Sequence, residues 1–182
     1  MTVTVMYESL CPDSIRFVKD QVGPTFEALG SERIVVELIP YGKASTTPTD
    51  TGYSFRCQHG PSECKGNKLQ ACGLARLLGD NGKQVQYARC LLSQTNPAAF
   101  SEKCVYEAGL EADDVRACVA GREGQVLLAG MGERTSEDIA FVPKVMFDGK
   151  YTQDDQNQAM SNLVHVACDK LAPGDRPTAC DR

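Results

Sequence analysis

One cysteine stands alone at position 11, and the other eight are crowded between positions 57 and 180 of a 182-residue chain. Nine thiols are a heavy load for a reducing cytosol, so an oxidising compartment is expected. An odd number leaves at least one thiol outside the intrachain bridges. Cys11 is the natural one to be left, so Cys57, Cys64, Cys72, Cys90, Cys104, Cys118, Cys168 and Cys180 are expected to form four bridges. Their connectivity stays open, because eight cysteines can pair in about a hundred ways. A metal explanation of the cysteines would need close pairs with matching histidines. The spacings here are wide and irregular, and only His59 and His165 are present, so no metal site is expected.

The residues around Cys11 read as strand, reactive turn and helix. Val3, Val5 and Tyr7 alternate with Thr2, Thr4 and Met6 in a β-rich run, which predicts a short buried strand. Pro12 suits the first helical position, where a missing N–H costs nothing and the fixed φ is already helical. Cys11 then falls at or next to the N-cap, with its sulfur facing free backbone N–H groups and the positive end of the helix. Both favour the thiolate, the form in which cysteine attacks a disulfide. The layout Cys11-Pro12-Asp13-Ser14 is that of a Cys-x-x-Cys redox turn with serine in the second place.

Downstream, the first helix is predicted from Pro12 to about Val22, ended or kinked by Gly23-Pro24. Ile34–Ile39 is nearly continuous and β-branched, as expected of a central strand covered on both faces, and Pro40-Tyr41-Gly42 closes it. Strand, helix, strand makes a βαβ unit with parallel pairing. Residues 43–54 turn to Ser, Thr, Pro and Gly and read as a loop. Gly60-Pro61 is a break, with Ser62 as N-cap of a helix through Leu69, Cys72 and Leu77. Gly79-Asp80-Asn81-Gly82 reads as a surface turn. Helical patterns recur over 85–92, 98–107, 113–119 and 125–131, and Cys90, Cys104 and Cys118 are expected to stitch them together. The last third reads as strand Phe141–Phe147, an Asp148-Gly149 hairpin turn, a short returning strand at Lys150-Tyr151, and a closing helix over 153–171. His59 and His165 read on composition alone as a polar loop residue and an amphipathic-helix residue.

A net charge of −5 with scattered basic residues argues against a nucleic-acid partner. No apolar run approaches the roughly 18–20 residues that a membrane span needs. The chain opens directly on strand sequence, so any secretory leader is expected to have been removed.

The order strand, Cys-x-x-(Cys or Ser), helix, strand, helical segment, then Val142-Pro143, strand, hairpin and helix resembles a thioredoxin fold carrying a helical insertion. More specifically, Cys57-Gln58-His59-Gly60-x-x-Glu63-Cys64-x-x-Asn67-x-x-x-x-Cys72 resembles the signature of the gamma-interferon-inducible lysosomal thiol reductase family. Pro40-Tyr41-Gly42, Val142-Pro143, Cys168 and Cys180 extend the likeness over nearly the whole chain. The resemblance implies an α/β, thioredoxin-like single domain over 1–182. Residues 1–42 would be its βαβ half, 55–135 a disulfide-stitched helical insertion, 140–171 its ββα half and 172–182 a tail.

It also implies reduction of protein disulfides in an acidic compartment, lysosomal or endosomal, or after secretion. Cys11 would attack, and Pro143, in a cis peptide facing the redox turn, would position a substrate strand alongside Val142, Pro12 and Asp13. Ser14 occupies the resolving place, and a hydroxyl cannot attack a mixed disulfide, so an external thiol would have to finish the exchange in place of any cofactor. Asn67, Asn81, Asn96, Asn157 and Asn162 all lack the Asn-x-Ser/Thr pattern, so sorting through N-glycans is not expected. The competing reading is a secreted, disulfide-rich binding protein on the same scaffold with little or no turnover.

Overall fold

The computed structural model describes residues 1–137 and 139–181. The chain forms a mixed α/β structure with a three-stranded sheet, a separate two-stranded ribbon and many helices. Strand β1 (Thr2–Tyr7) is central in the order β2-β1-β5, where β2 is Val35–Pro40 and β5 is Lys144–Phe147. β1 pairs in parallel with β2, Val5 opposite Leu38, and antiparallel with β5, Val5 opposite Val145. Val3, Val5 and Tyr7 are fully buried, and Thr4 and Met6 nearly so, as befits a strand covered on both faces.

The apolar run 34–39 suggested a central strand; instead β2 is an edge. Its outward positions Val35 and Glu37 are partly solvated, and Glu37 accepts from the Thr4 hydroxyl at 2.8 Å and pairs with Arg134. The open edge at Val36 is closed by a side chain. Asn81 Oδ1 accepts from Val36 N–H and Asn81 Nδ2 donates to Val36 C=O, both at 2.8 Å. The surface turn expected at 79–82 is therefore the start of a helix, α4 (Asn81–Leu92), whose N-cap Asp80 accepts from Lys83 N–H at 3.0 Å.

Gly23-Pro24 does not end the first helix. The chain runs through α1 (Pro12–Phe17), a π-helical turn (Val18–Val22) and α2 (Gly23–Leu29) without a break. Pro24 has no N–H to give and its ring crowds the carbonyl four residues back; a widened turn just before it accommodates both.

The expected loop 43–54 is instead mostly a hairpin, β3 (Ser45–Thr49) against β4 (Gly52–Arg56), with Thr46 opposite Phe55 and Pro48 opposite Tyr53. Threonine and aromatic residues at paired positions favour a strand over the coil that their Ser/Pro/Gly neighbours suggest. An isolated two-stranded ribbon also has open edges on which a proline costs no ladder bond.

Helix α3 (Pro61–Arg76) begins two residues earlier than expected, with Gly60 in place of Ser62 at the N-cap because Pro61 takes the first helical position. It is followed by α4, then α5 (Glu102–Glu107), α6 (Ala112–Ala120) and α7 (Arg122–Glu133). The start of α5 is set by Ser101, whose hydroxyl accepts from Cys104 N–H at 3.3 Å, four residues later than the periodicity suggested. The cysteines pair as Cys57–Cys64, Cys72–Cys118, Cys90–Cys104 and Cys168–Cys180. The second bridge joins α3 to α6 and the third α4 to α5.

After β5 the Asp148-Gly149 turn forms with positive φ at both residues. The returning strand shrinks to one bridge between Phe147 and Lys150. Thr152 already caps α8 (Gln153–Lys170), accepting from Asp155 N–H at 3.0 Å, which leaves no room for a ladder. α8 is kinked at Asn162, and the Leu163 N–H there bonds Gln21 Oε1 at 3.1 Å. The kink brings Lys170 Nζ within 2.8 Å of Asp155 Oδ1 at the other end of the same element. A main apolar core unites β1, β2, β5 and the helices packed on them, and a smaller one lies among α3, α4, α5 and α6. Among the described residues no helix is long and apolar enough to cross a membrane.

Candidate active site around Cys11

Cys11 is the free cysteine, and it is the N-cap of α1, with extended backbone at φ −72° and ψ 120°. Its carbonyl accepts the first helical hydrogen bond from Ile15 N–H at 2.9 Å. The sulfur is mostly covered, at 8 % residue exposure, whereas Pro12 and Asp13 beside it are exposed. Ser14 is fully buried, and its hydroxyl accepts from Glu8 N–H at 3.3 Å instead of meeting the Cys11 sulfur. It ties the turn back to the end of β1.

The connection Glu8-Ser9-Leu10 that carries Cys11 is held from α3. Asn67 Oδ1 accepts from Ser9 N–H at 2.9 Å, and the Ser9 hydroxyl donates to the Glu63 carbonyl at 3.2 Å. Glu63 Oε2 accepts from Leu10 N–H at 3.3 Å, and Asn67 Nδ2 reaches the Tyr41 carbonyl at 3.5 Å. The Cys57–Cys64 bridge ties the loop before α3 to its first turn, where Glu63 sits. Thus Cys57, Glu63, Cys64 and Asn67, read from sequence only as a patterned stretch, build the wall against which the reactive turn is pinned.

Glu8 closes the arrangement from below. It is fully buried, and Oε1 accepts from Lys43 N–H at 2.7 Å. Burial pushes its carboxyl above the ordinary carboxylate range, the Lys43 hydrogen bond works against that, and Glu63 adds to it. Gly42 is required here, because its φ of +60° suits glycine and any Cβ would overlap the Glu8 side chain. His59, expected to be a plain loop residue, binds Glu63 twice, through its backbone N–H at 2.9 Å and through Nδ1 at 2.7 Å.

Across from the turn lies the Val142-Pro143 peptide, which is cis. The Cys11 thiol points at the Val142 carbonyl oxygen, 3.9 Å from the sulfur. The approach to β5 is fixed by Gln156 of α8: Nε2 donates to the Pro143 carbonyl at 3.0 Å and Oε1 accepts from Val145 N–H at 2.9 Å. Beside it a shallow cavity of about 350 Å³ is lined by Asp13, Phe141, Val142, Pro143, Asn157 and Met160 among others. Cys11, Pro12, Asp13, Ser14, Val142 and Pro143 are thus neighbours in space. His165 lies apart from them, exposed on α8 near Asp169.

Glu8, Gln156 and the pairing of His59 with two carboxylates were not found from sequence. The available signal for Glu8 was a charged residue continuing a buried strand directly into the Cys11 turn. Gln156 carries none beyond its inward helical position.

The family model described as Gamma interferon inducible lysosomal thiol reductase (GILT) matches residues 2–108. The chain is 35 % identical over 185 residues to the gamma-interferon-inducible lysosomal thiol reductase of Carassius auratus, covering 99 % of this chain and 72 % of that protein. It is 31 % identical over 199 residues to GILT-like protein 1 of Drosophila melanogaster, covering 99 % of this chain and 78 % of that one. With the gamma-interferon-inducible lysosomal thiol reductase-like protein of Anopheles gambiae the identity is 32 % over 193 residues, covering 98 % and 79 %.

Proposed function

Because the chain belongs to the gamma interferon inducible lysosomal thiol reductase family, we propose that it is a thiol–disulfide oxidoreductase whose attacking sulfur is that of Cys11. The observation that carries this is the pairing of all eight other cysteines, which leaves one free thiol, at a helix N-cap beside Pro143. The β1–α1–β2 unit with β5 antiparallel on its other side supports reading the chain as one thioredoxin-like domain with a helical insertion. The exposed Asp13 and the cavity along Phe141–Pro143 suit an extended substrate segment carrying a disulfide.

The Cys11 thiolate attacks one sulfur of the substrate disulfide. A Cys11–substrate bond forms, the substrate S–S bond breaks, and the departing thiolate takes a proton. Ser14 has no sulfur with which to continue. A first external thiolate therefore attacks the Cys11 sulfur and frees the second substrate thiol, and a second external thiol regenerates Cys11 and departs as the external disulfide. Two electrons pass from two small thiols to one substrate disulfide, with no further cofactor. The cysteine load and the family name support an acidic lysosomal or endosomal location, or secretion.

The burial of Cys11 and the serine at 14 also favour a second reading, capture of disulfide-bearing partners without turnover. The test is insulin reduction with excess small thiol at about pH 5, followed on non-reducing gels. The enzyme reading expects thiol-dependent turnover and a covalent adduct that dithiothreitol abolishes; Cys11→Ala loses both, and Ser14→Cys lowers the adduct while raising turnover. An adduct without turnover at any thiol concentration selects the capture reading, and an adduct that survives Cys11→Ala overturns Cys11 as the attacking residue.

A further inference from the structure

Behind the reactive turn, the buried Glu8 and Glu63 and the partly exposed His59 each offer one ligand atom, and those three atoms lie within 4.8 Å of one another. Glu8 comes from the end of β1, His59 from the loop before α3 and Glu63 from the first turn of α3. Both carboxylates are fully buried. Each has its other oxygen anchored by a backbone N–H, Glu8 by Lys43 at 2.7 Å and Glu63 by His59 at 2.9 Å. Such outer contacts orient ligating carboxylates in metal sites.

The hydrogen bonding of the cluster does not close by itself. A neutral imidazole has one proton to give, and at 2.7 Å Nδ1 is committed to Glu63 Oε2. Glu8 Oε2, 3.4 Å from the same nitrogen, is buried without a hydrogen-bond partner. A buried carboxylate oxygen left in this state is costly.

We propose that Glu8, His59 and Glu63 form a divalent-cation site, best suited to Zn²⁺, with one coordination position left open. Carboxylate oxygen and imidazole nitrogen are both zinc donors, with ligand distances of about 2.0–2.2 Å, and three protein ligands leave the fourth tetrahedral position open. In tetrahedral geometry neighbouring donors then stand about 3.3 Å apart. The Glu8–His59 spacing of 3.4 Å already fits, and the Glu63–His59 hydrogen bond of 2.7 Å opens by about 0.6 Å as the ion takes the place of the shared proton. His59 is one-third exposed, which gives the ion a way in without unfolding α3. A bound ion would join the end of β1 to α3 directly beneath Leu10, whose N–H already rests on Glu63. It would stiffen the turn that carries Cys11 without touching the sulfur.

The measurement is a Zn²⁺ titration of the disulfide-intact Cys11→Ser protein against a competing chromophoric chelator, which removes the free thiol as a rival ligand. The expected result is one ion per chain with a dissociation constant in the micromolar range or tighter. Glu8→Gln, which keeps shape and removes the charge, and His59→Ala should each weaken binding at least tenfold. X-ray absorption of the loaded Cys11→Ser protein reads the ligands without any further substitution and should show an oxygen/nitrogen shell at about 2.0 Å with one imidazole and no sulfur. No stoichiometric binding at 100-fold excess over the chain, binding undiminished in both variants, or a sulfur ligand would each overturn the site. None of these readouts depends on reductase activity.

Discussion

Replacing Gln156 by leucine isolates what holds the strand entry opposite Cys11. Gln156 is 4 % exposed, and its amide serves two main-chain groups at once, the Val145 N–H at 2.9 Å and the Pro143 carbonyl at 3.0 Å. Leucine has nearly the same volume, so little cavity term enters, and both main-chain groups lose their partner in a place that water does not reach. An orphaned buried polar group costs about 1–3 kcal/mol, and the added apolar burial returns about 1 kcal/mol. The net expectation is a destabilisation of about 3 kcal/mol, which for a chain of this size lowers Tm by about 6–12 °C. Urea unfolding of the oxidised protein, with its slope unchanged, gives the energy. The rate of mixed-disulfide formation through Cys11, measured well below the unfolding transition, should fall about tenfold, because the segment that flanks the sulfur is no longer fixed. A loss below about 0.5 kcal/mol would mean that water or a shifted backbone serves Val145 and Pro143, and with an unchanged rate of adduct formation Gln156 would have no positioning role.

Cys11 should be the sole cysteine carbamidomethylated by iodoacetamide in the native protein, and slowly, given its burial; label on Cys57, Cys64 or Cys72 would contradict the pairing described. The Cys72–Cys118 bridge spans 46 positions, and on a chain-entropy account its removal by the double serine variant should cost about 4 kcal/mol in urea unfolding. The hydrogen bond from Lys170 holds the Asp155 carboxyl below its usual range, against a smaller opposing effect of burial. A depressed folded value means that this stabilisation is complete above the unfolded value of about 3.9 and is lost as pH falls through the folded one. The urea midpoint of Asp155→Asn should therefore lie below that of the parent at pH 6, by an amount worth under about 1 kcal/mol, and coincide with it near pH 2.

Local signals placed β1, the Cys11 N-cap and most of the helices, because each depends on nearest neighbours: alternation in Val3–Tyr7, Pro12 at the first helical position, and apolar spacing along α3 and α8. Strand order was beyond such signals. The run at 34–39 is as apolar as a central strand, yet it is an edge, because Asn81, more than forty positions later, supplies the missing edge partner through its side chain. The hairpin at 45–56 was hidden for a related reason, since turn-forming composition outweighs threonine and aromatic pairing until the two strands are aligned. At 18–24 the proline rule pointed to a stop or a kink; a widened turn carries the helix past the conflict that the rule describes, so it does not stop.

The same distinction separates the legible half of the site from the other half. Cys11, Pro12, Asp13 and Ser14 are contiguous, and their chemistry can be read from their order. The residues that hold them are met only through long-range hydrogen bonds, Asn67 to Ser9 across 58 positions and Glu63 to Leu10 across 53. A patterned stretch such as Cys57–Cys72 announces that its residues matter without saying against what they pack. Once α3 lies against the turn, each fixed gap in it has a physical reason. His59 lies in the loop just outside the Gly60 N-cap, from which its imidazole and its N–H both reach the Glu63 carboxylate in the first turn of α3, and the four residues from Glu63 to Asn67 make one helical turn that keeps carboxylate and amide on the face that meets Ser9 and Leu10. An insertion of one residue between Glu63 and Asn67 would rotate the amide by about 100° relative to Glu63, so that the two side chains could no longer meet Ser9 and Leu10 together.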